Sequence, residues 1–512
     1  MYASTFGATP LGIDGLIIKV EVDSGNGMPS FDIVGLPSTS VRESKERVRT
    51  AIKNCGLRMR AEKITINLAP AEIKKESVGL DLPIAVGILA AQGRVDVDKC
   101  REFIFVSELS LEGKLCRVNG ILPVTVRARE DGFKKIVVAK DNVNEALLVE
   151  GVEVYAPETL LELIEFLNDE INLEPEKPVP IENCDKNFIE MVDDFADVQG
   201  QFMAKRALEI AAAGGHNVLM VGVPGSGKTM LAKRMSSILP ELTREEALEV
   251  TKIYSVAGKL GHNGGLITQR PFQNPNHDAS MAAIIGGGTD PKPGQVTLAH
   301  HGVLFLDELP EFRRSVIEAL REPLEERQIT VSRVNATLTF PSSMILICAM
   351  NPCPCGWRGD KEHTCQCSET SIRKYLRKLS GPLLDRIDIH IRVPRVKYED
   401  LSSKRRAEPS VEIRKRVSAA REIQLKRLGK YHLFCNAQMN HAMVQNLCTM
   451  SESAEKLLKD VFETKKLSAR SYDRIIKVGR TIADLSGGEE LISDIHIAEA
   501  IKLRNDLDFD IR

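Results

Sequence analysis

The sequence predicts a multidomain protein of mixed α/β and α+β class. Three observations carry that prediction: a glycine-rich phosphate loop set between a short apolar run and a helical pattern, strand and helix candidates mixed together before it, and apolar residues at helical spacing from Tyr398 to the end. At 512 residues the chain is long enough for about three domains.

In the first part, strand candidates at Gly15–Val22 and Ile64–Leu68 accompany a helical stretch at Ser40–Cys55, an α+β pattern assigned to residues 1–173. The run Leu82–Ala91 is apolar throughout but about half of the ~20 residues a membrane span requires, and the first ten residues lack a basic-then-apolar targeting pattern. A cytoplasmic protein with no membrane partner is therefore expected. A hydrophobic content of 43% against 27% charged excludes a disordered or collagen-like chain. The 69 basic and 71 acidic residues nearly cancel, so any nucleic-acid surface must be local. Eleven cysteines scattered over so long a chain predict mostly reduced thiols. A linker, 174–195, opens on Glu174–Pro180, whose three prolines among charges forbid a helix or a central strand.

The next segment, 196–397, carries the chemistry. Val218–Val221 is an apolar strand candidate, Gly222-Val223-Pro224-Gly225-Ser226-Gly227-Lys228-Thr229 follows it, and a helical pattern runs from Met230 to Ile238. This is P-loop spacing in strand–loop–helix context: glycines let backbone N–H groups turn around a polyphosphate, Lys228 neutralises its oxygens, and the Thr229 hydroxyl ligates Mg²⁺. A second strand, Val303–Leu306, delivers Asp307 and Glu308 to its end, suited respectively to holding Mg²⁺ and to polarising the attacking water. A third, Met344–Met350, ends in Asn351, whose amide can orient that water or read the γ-phosphate; a turn-forming Asn before Pro352 is the alternative.

Cys353, Cys355, Cys365 and Cys367 form two Cys-x-Cys pairs separated by nine residues in a loop with little apolar content. Four thiolates there predict a structural Zn²⁺ site, with reduced or redox-paired cysteines as the alternative. Residues 398–512 read as a helical domain with a basic region at Lys404-Arg405-Arg406, Arg414-Lys415-Arg416, Arg421, Lys426-Arg427 and Lys430, either a phosphate-binding stripe or the solvated face of a long helix.

The words around these motifs resemble one family. Leu298 through Phe312 (LAHHGVLFLDELPEF), Asn351 through Gly356 (NPCPCG) and Ser380 through Asp388 (SGPLLDRID) are similar to the magnesium-chelatase-like AAA+ ATPases of the ComM/YifB family, as are Val34–Pro37, Leu80–Ile84 and Glu108–Leu111 upstream and Ser468–Leu485 downstream. The resemblance implies a ribosomal-S5-like, Lon-protease-like N-terminal domain, a P-loop AAA+ core with a helix-2 insertion within Tyr254–Gln295 and a hairpin at Gln328–Phe340 before sensor 1, and a helical C-terminal lid. It implies ATP and Mg²⁺ as cofactors, Asn351 as sensor 1, Arg386 as an arginine finger acting on a neighbour's ATP, and Arg470 as sensor 2. For Arg386 an ordinary salt bridge with Asp385 or Asp388 is the alternative. It further implies a homo-hexamer acting on branched or single-stranded DNA, with recombination proteins as partner candidates: a helicase promoting branch migration when incoming DNA is recombined during natural transformation.

Arg270, Lys292 and Arg333, in the insertion and the hairpin, are the phosphate-contact candidates, with a charged solvent-facing hairpin as the alternative. The chain has Pro275-Asn276-His277-Asp278 where the family word is Pro-His-His-Thr. The alternative function is the motor subunit of a metal chelatase-type remodelling complex. A protease reading is weakened because Ser77, in the segment similar to the Lon serine region, has no lysine in the word Gly120–Val124 to serve as its base.

Overall fold

The computed structural model describes residues 1–57, 59–75, 77–177, 194–261, 264–288, 291–333, 336–360, 362–396 and 407–505. Most of the linker, Val334-Asn335 and Lys404-Arg405-Arg406 lie outside the described residues.

The first 170 residues build a mixed seven-stranded sheet in the order Ser30–Val34, Lys63–Ala69, Asp14–Gly25, Tyr2–Leu11, Phe103–Val106, Lys135–Val138, Glu153–Tyr155. Its centre is an antiparallel pair, Tyr2–Leu11 against Asp14–Gly25, and strands added on the Phe103 side run parallel. The apolar run that is too short for a membrane becomes the helix Asp81–Ala91, buried at every position against this sheet. Its one carboxylate, Asp81, is buried too and accepts Arg47 Nε at 2.7 Å and Nη2 at 3.1 Å. Among the described residues no helix is long and apolar enough to cross a membrane.

The second sheet is parallel throughout, in the order Phe272–Gln273, Val303–Leu306, Ile345–Met350, Val218–Val221, Ile389–Arg392. Its three central strands are buried along their length, which is why they appear in the sequence as unbroken apolar runs rather than alternating ones. The C-terminal helices Ser410–Leu428, Glu452–Lys465, Ala469–Leu485 and Asp494–Asn505 share one hydrophobic core with this sheet and with the alanine-rich helix Phe202–Gly214.

The insertion is narrower than its sequence limits. Residues Arg244–Val256 form a helix packed against the first domain, where Glu145 accepts from Ser255 and Arg117 Nη2 donates to the Leu260 carbonyl at 2.9 Å. Phe272–Gln273 joins the sheet edge and Ile284, Val296 and Leu298 are buried, which leaves between two short helices a small ladder pairing Gly286–Gly287 with Lys292–Pro293. The predicted hairpin is present, Gln328–Arg333 paired antiparallel with Ala336–Pro341.

Candidate active site

The P-loop follows from local chemistry. The strand Val218–Val221 runs straight into Gly222, and Gly225 and Gly227 take left-handed φ of 74° and 88° that bend the chain before the helix Lys228–Lys233 begins. A Cβ at Gly222 would meet the Val393 carbonyl oxygen at 2.4 Å, so nothing larger than glycine fits. Lys228 Nζ donates to the carbonyls of Gly222 at 2.8 Å and Val223 at 3.1 Å, and to Asn351 Oδ1 at 3.3 Å. Burial pushes this ammonium below the usual lysine value, while Asp307 and Glu308 pull it back.

Thr229 Oγ1 donates to Asp307 Oδ2 at 2.6 Å, and the Glu308 N–H donates to Asp307 Oδ1 at 2.9 Å. The parallel ladder sets this meeting: Val221 pairs with Met350 and Leu306 with Cys348, so Gly222, Asp307 and Asn351 all emerge at the C-terminal edge of three adjacent strands. Glu308 has φ of 51°, a left-handed conformation for a bulky residue, and its side chain is 58% exposed. His277 Nδ1 lies 3.8 Å from Glu308 Oε2, its ring edge-on to Phe312, so the word that departs from the family pattern sits beside the candidate base.

These residues fit a nucleoside triphosphate with Mg²⁺. Ser226 Oγ is buried with no partner among the described residues, Lys228 stands at the helix N-terminus, and Thr229 and Asp307 offer the adjacent oxygen atoms that would hold the metal. One residue that the sequence pattern does not single out belongs here. Gln201, at φ of 52°, donates from Nε2 to the Ser226 carbonyl at 3.2 Å and to the Pro394 carbonyl at 2.6 Å, tying the loop to the chain leaving the sheet. Its only signal in sequence is its place in Asp197-Val198-Gln199-Gly200-Gln201.

Arg386 and Arg470 lie elsewhere. Ile389 pairs with Val218 at the start of the P-loop strand, so Arg386 is at the opposite edge of the sheet from its own P-loop. It is 8% exposed; Nη1 donates to the Pro382 carbonyl at 2.6 Å and Nη2 pairs with Glu325. The sequence alternative named Asp385 or Asp388 as its partner, but Asp388 is occupied by Arg474, whose Nη1 also donates to the Arg386 carbonyl at 3.0 Å. Arg470 stands exposed one turn earlier on that helix, with no partner among the described residues.

The four cysteines converge. Their sulfurs all lie within 4.8 Å of one another, with Cys353–Cys355 at 3.4 Å, Cys355–Cys365 at 3.6 Å and Cys353–Cys365 at 3.7 Å. A tetrahedral zinc at ~2.3 Å from each thiolate demands sulfurs ~3.8 Å apart, so the set fits that ion. Burial pushes the Cys353 thiol up to about 12, whereas the Trp357 N–H brings Cys355 down to about 6.

The chain matches three family profiles in succession: "Subunit ChlI of Mg-chelatase" over residues 20–142, "Magnesium chelatase, subunit ChlI" over 194–401 and "Magnesium chelatase, subunit ChlI C-terminal" over 407–504. It is 43% identical over 510 residues to the competence protein ComM of Haemophilus influenzae, covering 98% of this chain and 97% of that one, and 42% identical over 496 residues to YifB of Escherichia coli K12, covering 96% and 95%. The chain belongs to the ComM/YifB family of magnesium-chelatase-like AAA+ proteins. The likeness to Lon protease 2 of Bacillus subtilis is partial, 27% over 189 residues and 33% of each chain. In this ComM/YifB member Ser77 caps a short helical turn, accepting the Gly79 N–H at 3.1 Å, a structural use of the hydroxyl.

The phosphate-contact candidates fare unevenly. Arg270 is a correction: it is internal, its side chain 14% exposed, bonded to Glu246 at 2.9 Å and to the carbonyls of Pro240 at 2.5 Å and His301 at 2.7 Å. A guanidinium anchored at every edge has no donor left for DNA. Lys292 is exposed on the small ladder, and Arg333 is the last residue of its hairpin strand. On the helix Ser410–Leu428 the arginines of the basic stripe are tied to groups of the protein itself. Arg414 bonds the Ser237 carbonyl, Arg416 bonds Glu209 and Glu408, Arg421 the Ala212 carbonyl, and Arg427 the buried Asp484. Lys415, Arg416, Lys426 and Lys430 are the exposed cations among the stripe's described residues, and of these Arg416 is held by its two glutamates.

Proposed function

We propose that this chain is an ATP-driven hexameric DNA motor that promotes branch migration when incoming single-stranded DNA is recombined during natural transformation. The observation that carries the motor reading is the division of the catalytic set across the sheet. Lys228, Thr229, Asp307, Glu308 and Asn351 meet at one edge, and Arg386 lies at the other, where it cannot serve its own nucleotide. A finger so placed needs a second copy bound head to tail, and a head-to-tail interface closes into a ring when its rotation permits. The relative named for competence supports the biological setting, and the two small antiparallel ladders are candidates to line a channel that engages a strand.

In this reading Lys228 and the P-loop N–H groups hold the β- and γ-phosphates, and Thr229 and Asp307 hold Mg²⁺, which neutralises phosphate charge when bound. Glu308 accepts a proton from the attacking water, Asn351 orients it, and the neighbour's Arg386 stabilises the charge that develops on the γ-phosphoryl oxygens. Arg470 relays nucleotide state through the C-terminal helices acting as a lid, and the four cysteines hold a structural zinc. The first domain is an S5-like docking module without peptidase chemistry. The chelatase alternative rests on a likeness to the magnesium-chelatase 67 kDa subunit of Chlorobaculum parvum that covers 31% of this chain. The test is a labelled four-way junction followed with ATP beside a Lys228→Ala control: wild type resolves the junction and the variant does not, whereas ATP turnover without DNA stimulation or strand movement overturns the proposal.

A further inference from the structure

At the N-terminal edge of the parallel sheet, away from the P-loop, the core and the C-terminal helices line a half-open cavity of about 350 Å³. Its wall carries six cationic side chains, Arg270, Arg327, Arg386, Arg421, Arg474 and Lys477, and three carboxylates, Glu246, Glu325 and Asp388. The carboxylates are already assigned: Glu246 to Arg270, Glu325 to Arg386 and Asp388 to Arg474. Among the described residues three cations make no ion pair of their own, Arg327, Arg421 and Lys477, although Lys477 still feels the Asp388 and Asp473 carboxylates. Arg421 bonds the carbonyls of Ala212 and Phe434, and Lys477 the Ala437 carbonyl at 3.3 Å, which satisfies their hydrogens without cancelling their charge. Arg327 has no side-chain partner among the described residues, and Arg386 Nε is buried without one. Like charges gathered in a half-open, partly desolvated pocket repel one another and favour an anion that joins them.

We infer that this cavity is a binding site for an oxyanion of the phosphate class, held by Arg327, Arg421 and Lys477. The chemistry selects the ligand: planar guanidiniums and an ammonium converging on one space suit the several oxygens of a phosphate or pyrophosphate group, and the volume lies at the small end of ordinary ligand sites. Burial lowers the affinity of both Arg327 and Lys477 for their protons, at Lys477 against the opposing pull of Asp388 and Asp473. Two sources offer the same group, a free phosphate or pyrophosphate and the terminal phosphates of a nucleotide on a neighbouring copy. Only the second rests on the ring proposed above.

The experiment titrates inorganic phosphate and pyrophosphate into the full-length Lys228→Ala protein by calorimetry in chloride buffer, with the P-loop thereby disabled. Saturable binding that weakens at least tenfold in Lys228→Ala/Arg327→Gln and in Lys228→Ala/Lys477→Met, with thermal unfolding still cooperative, establishes the free-anion site. If neither anion binds, steady-state ATP hydrolysis by Arg327→Gln decides: a kcat lowered at least tenfold with unchanged affinity for a fluorescent ATP analogue assigns the site to the neighbour's nucleotide. No anion binding together with wild-type kcat in both single variants overturns the inference. Pyrophosphate binding by Lys228→Ala beside a wild type that never hydrolyses ATP sinks the motor reading and leaves the cavity standing.

Discussion

Replacing Arg474 with methionine tests how the sheet and the C-terminal helices are joined. The Asp388 carboxylate is 5% exposed and sits between Arg474, the Asn217 N–H at 3.1 Å and His216 Nδ1 at 3.5 Å. Burial alone would raise this carboxyl, but Arg474, then His216 and Lys477, hold it well below the usual aspartate range. Removing one partner of a buried pair costs about 3–5 kcal/mol. Because Asn217 and His216 stay in place, the lower end, about 3 kcal/mol, is expected. At about 2–4 °C per kcal/mol for a body of some 200 residues, the Tm falls by about 6–12 °C.

Asp388 has a folded pKa below its unfolded one, so its contribution is complete above the unfolded value of about 3.9 and is lost as pH falls through that value toward the lower folded one. Wild-type stability therefore falls as pH drops below about 4, and in Arg474→Met that fall is shallower. Thermal unfolding of wild type, Arg474→Met, Asp388→Asn and the double variant from pH 3 to 8 measures both effects. If the double variant loses the sum of the single losses, the two groups are not coupled and the reasoning fails.

Further expectations follow from individual contacts. Purified protein contains about one zinc per chain by elemental analysis and Cys365→Ser contains none; zinc-free wild type removes the metal from the account. Arg270→Met costs about 3 kcal/mol by denaturant unfolding and leaves DNA affinity within about twofold, because every edge of that guanidinium is anchored internally; weakened DNA binding at unchanged stability would contradict its internal role. Lys292→Ala lowers the slope of log affinity for single-stranded DNA against log salt by about 1, and an unchanged slope places this lysine off the DNA path. His277→Ala alters the pH profile of ATP hydrolysis while nucleotide affinity holds, and identical profiles make its approach to Glu308 incidental.

The catalytic strands were legible because each is short, buried on both faces and followed at once by a residue suited to nucleotide chemistry, Gly222, Asp307 or Asn351. The strand Tyr2–Leu11 was not, since buried Ser4, Thr5 and Thr9 interrupt its apolar pattern and its long-range pairing leaves no local signal. The helical pattern Met230–Ile238 contains a break at Arg234, whose Nε turns aside to the Asp194 carbonyl at 2.8 Å. Arg270 looked free because it stands in a glycine- and proline-rich stretch, yet its partner Glu246 is on the preceding helix. The cationic cavity was unreadable for the same reason on a larger scale, its wall gathered from Arg270 to Lys477. By contrast, the four cysteines announced themselves because all of them lie on one loop, so sequence proximity and spatial proximity coincide.

The most direct test of the ring motor mixes two inactive proteins. Lys228→Ala has a disabled P-loop but an intact Arg386, and Arg386→Ala has the reverse, so a head-to-tail pair contains one interface with both parts sound. ATP hydrolysis and junction migration measured across mixing ratios should be near zero at either extreme and recover in between. A mixture as inactive as its components, with assembly confirmed by sedimentation, would show that Arg386 does not act on a neighbour's nucleotide.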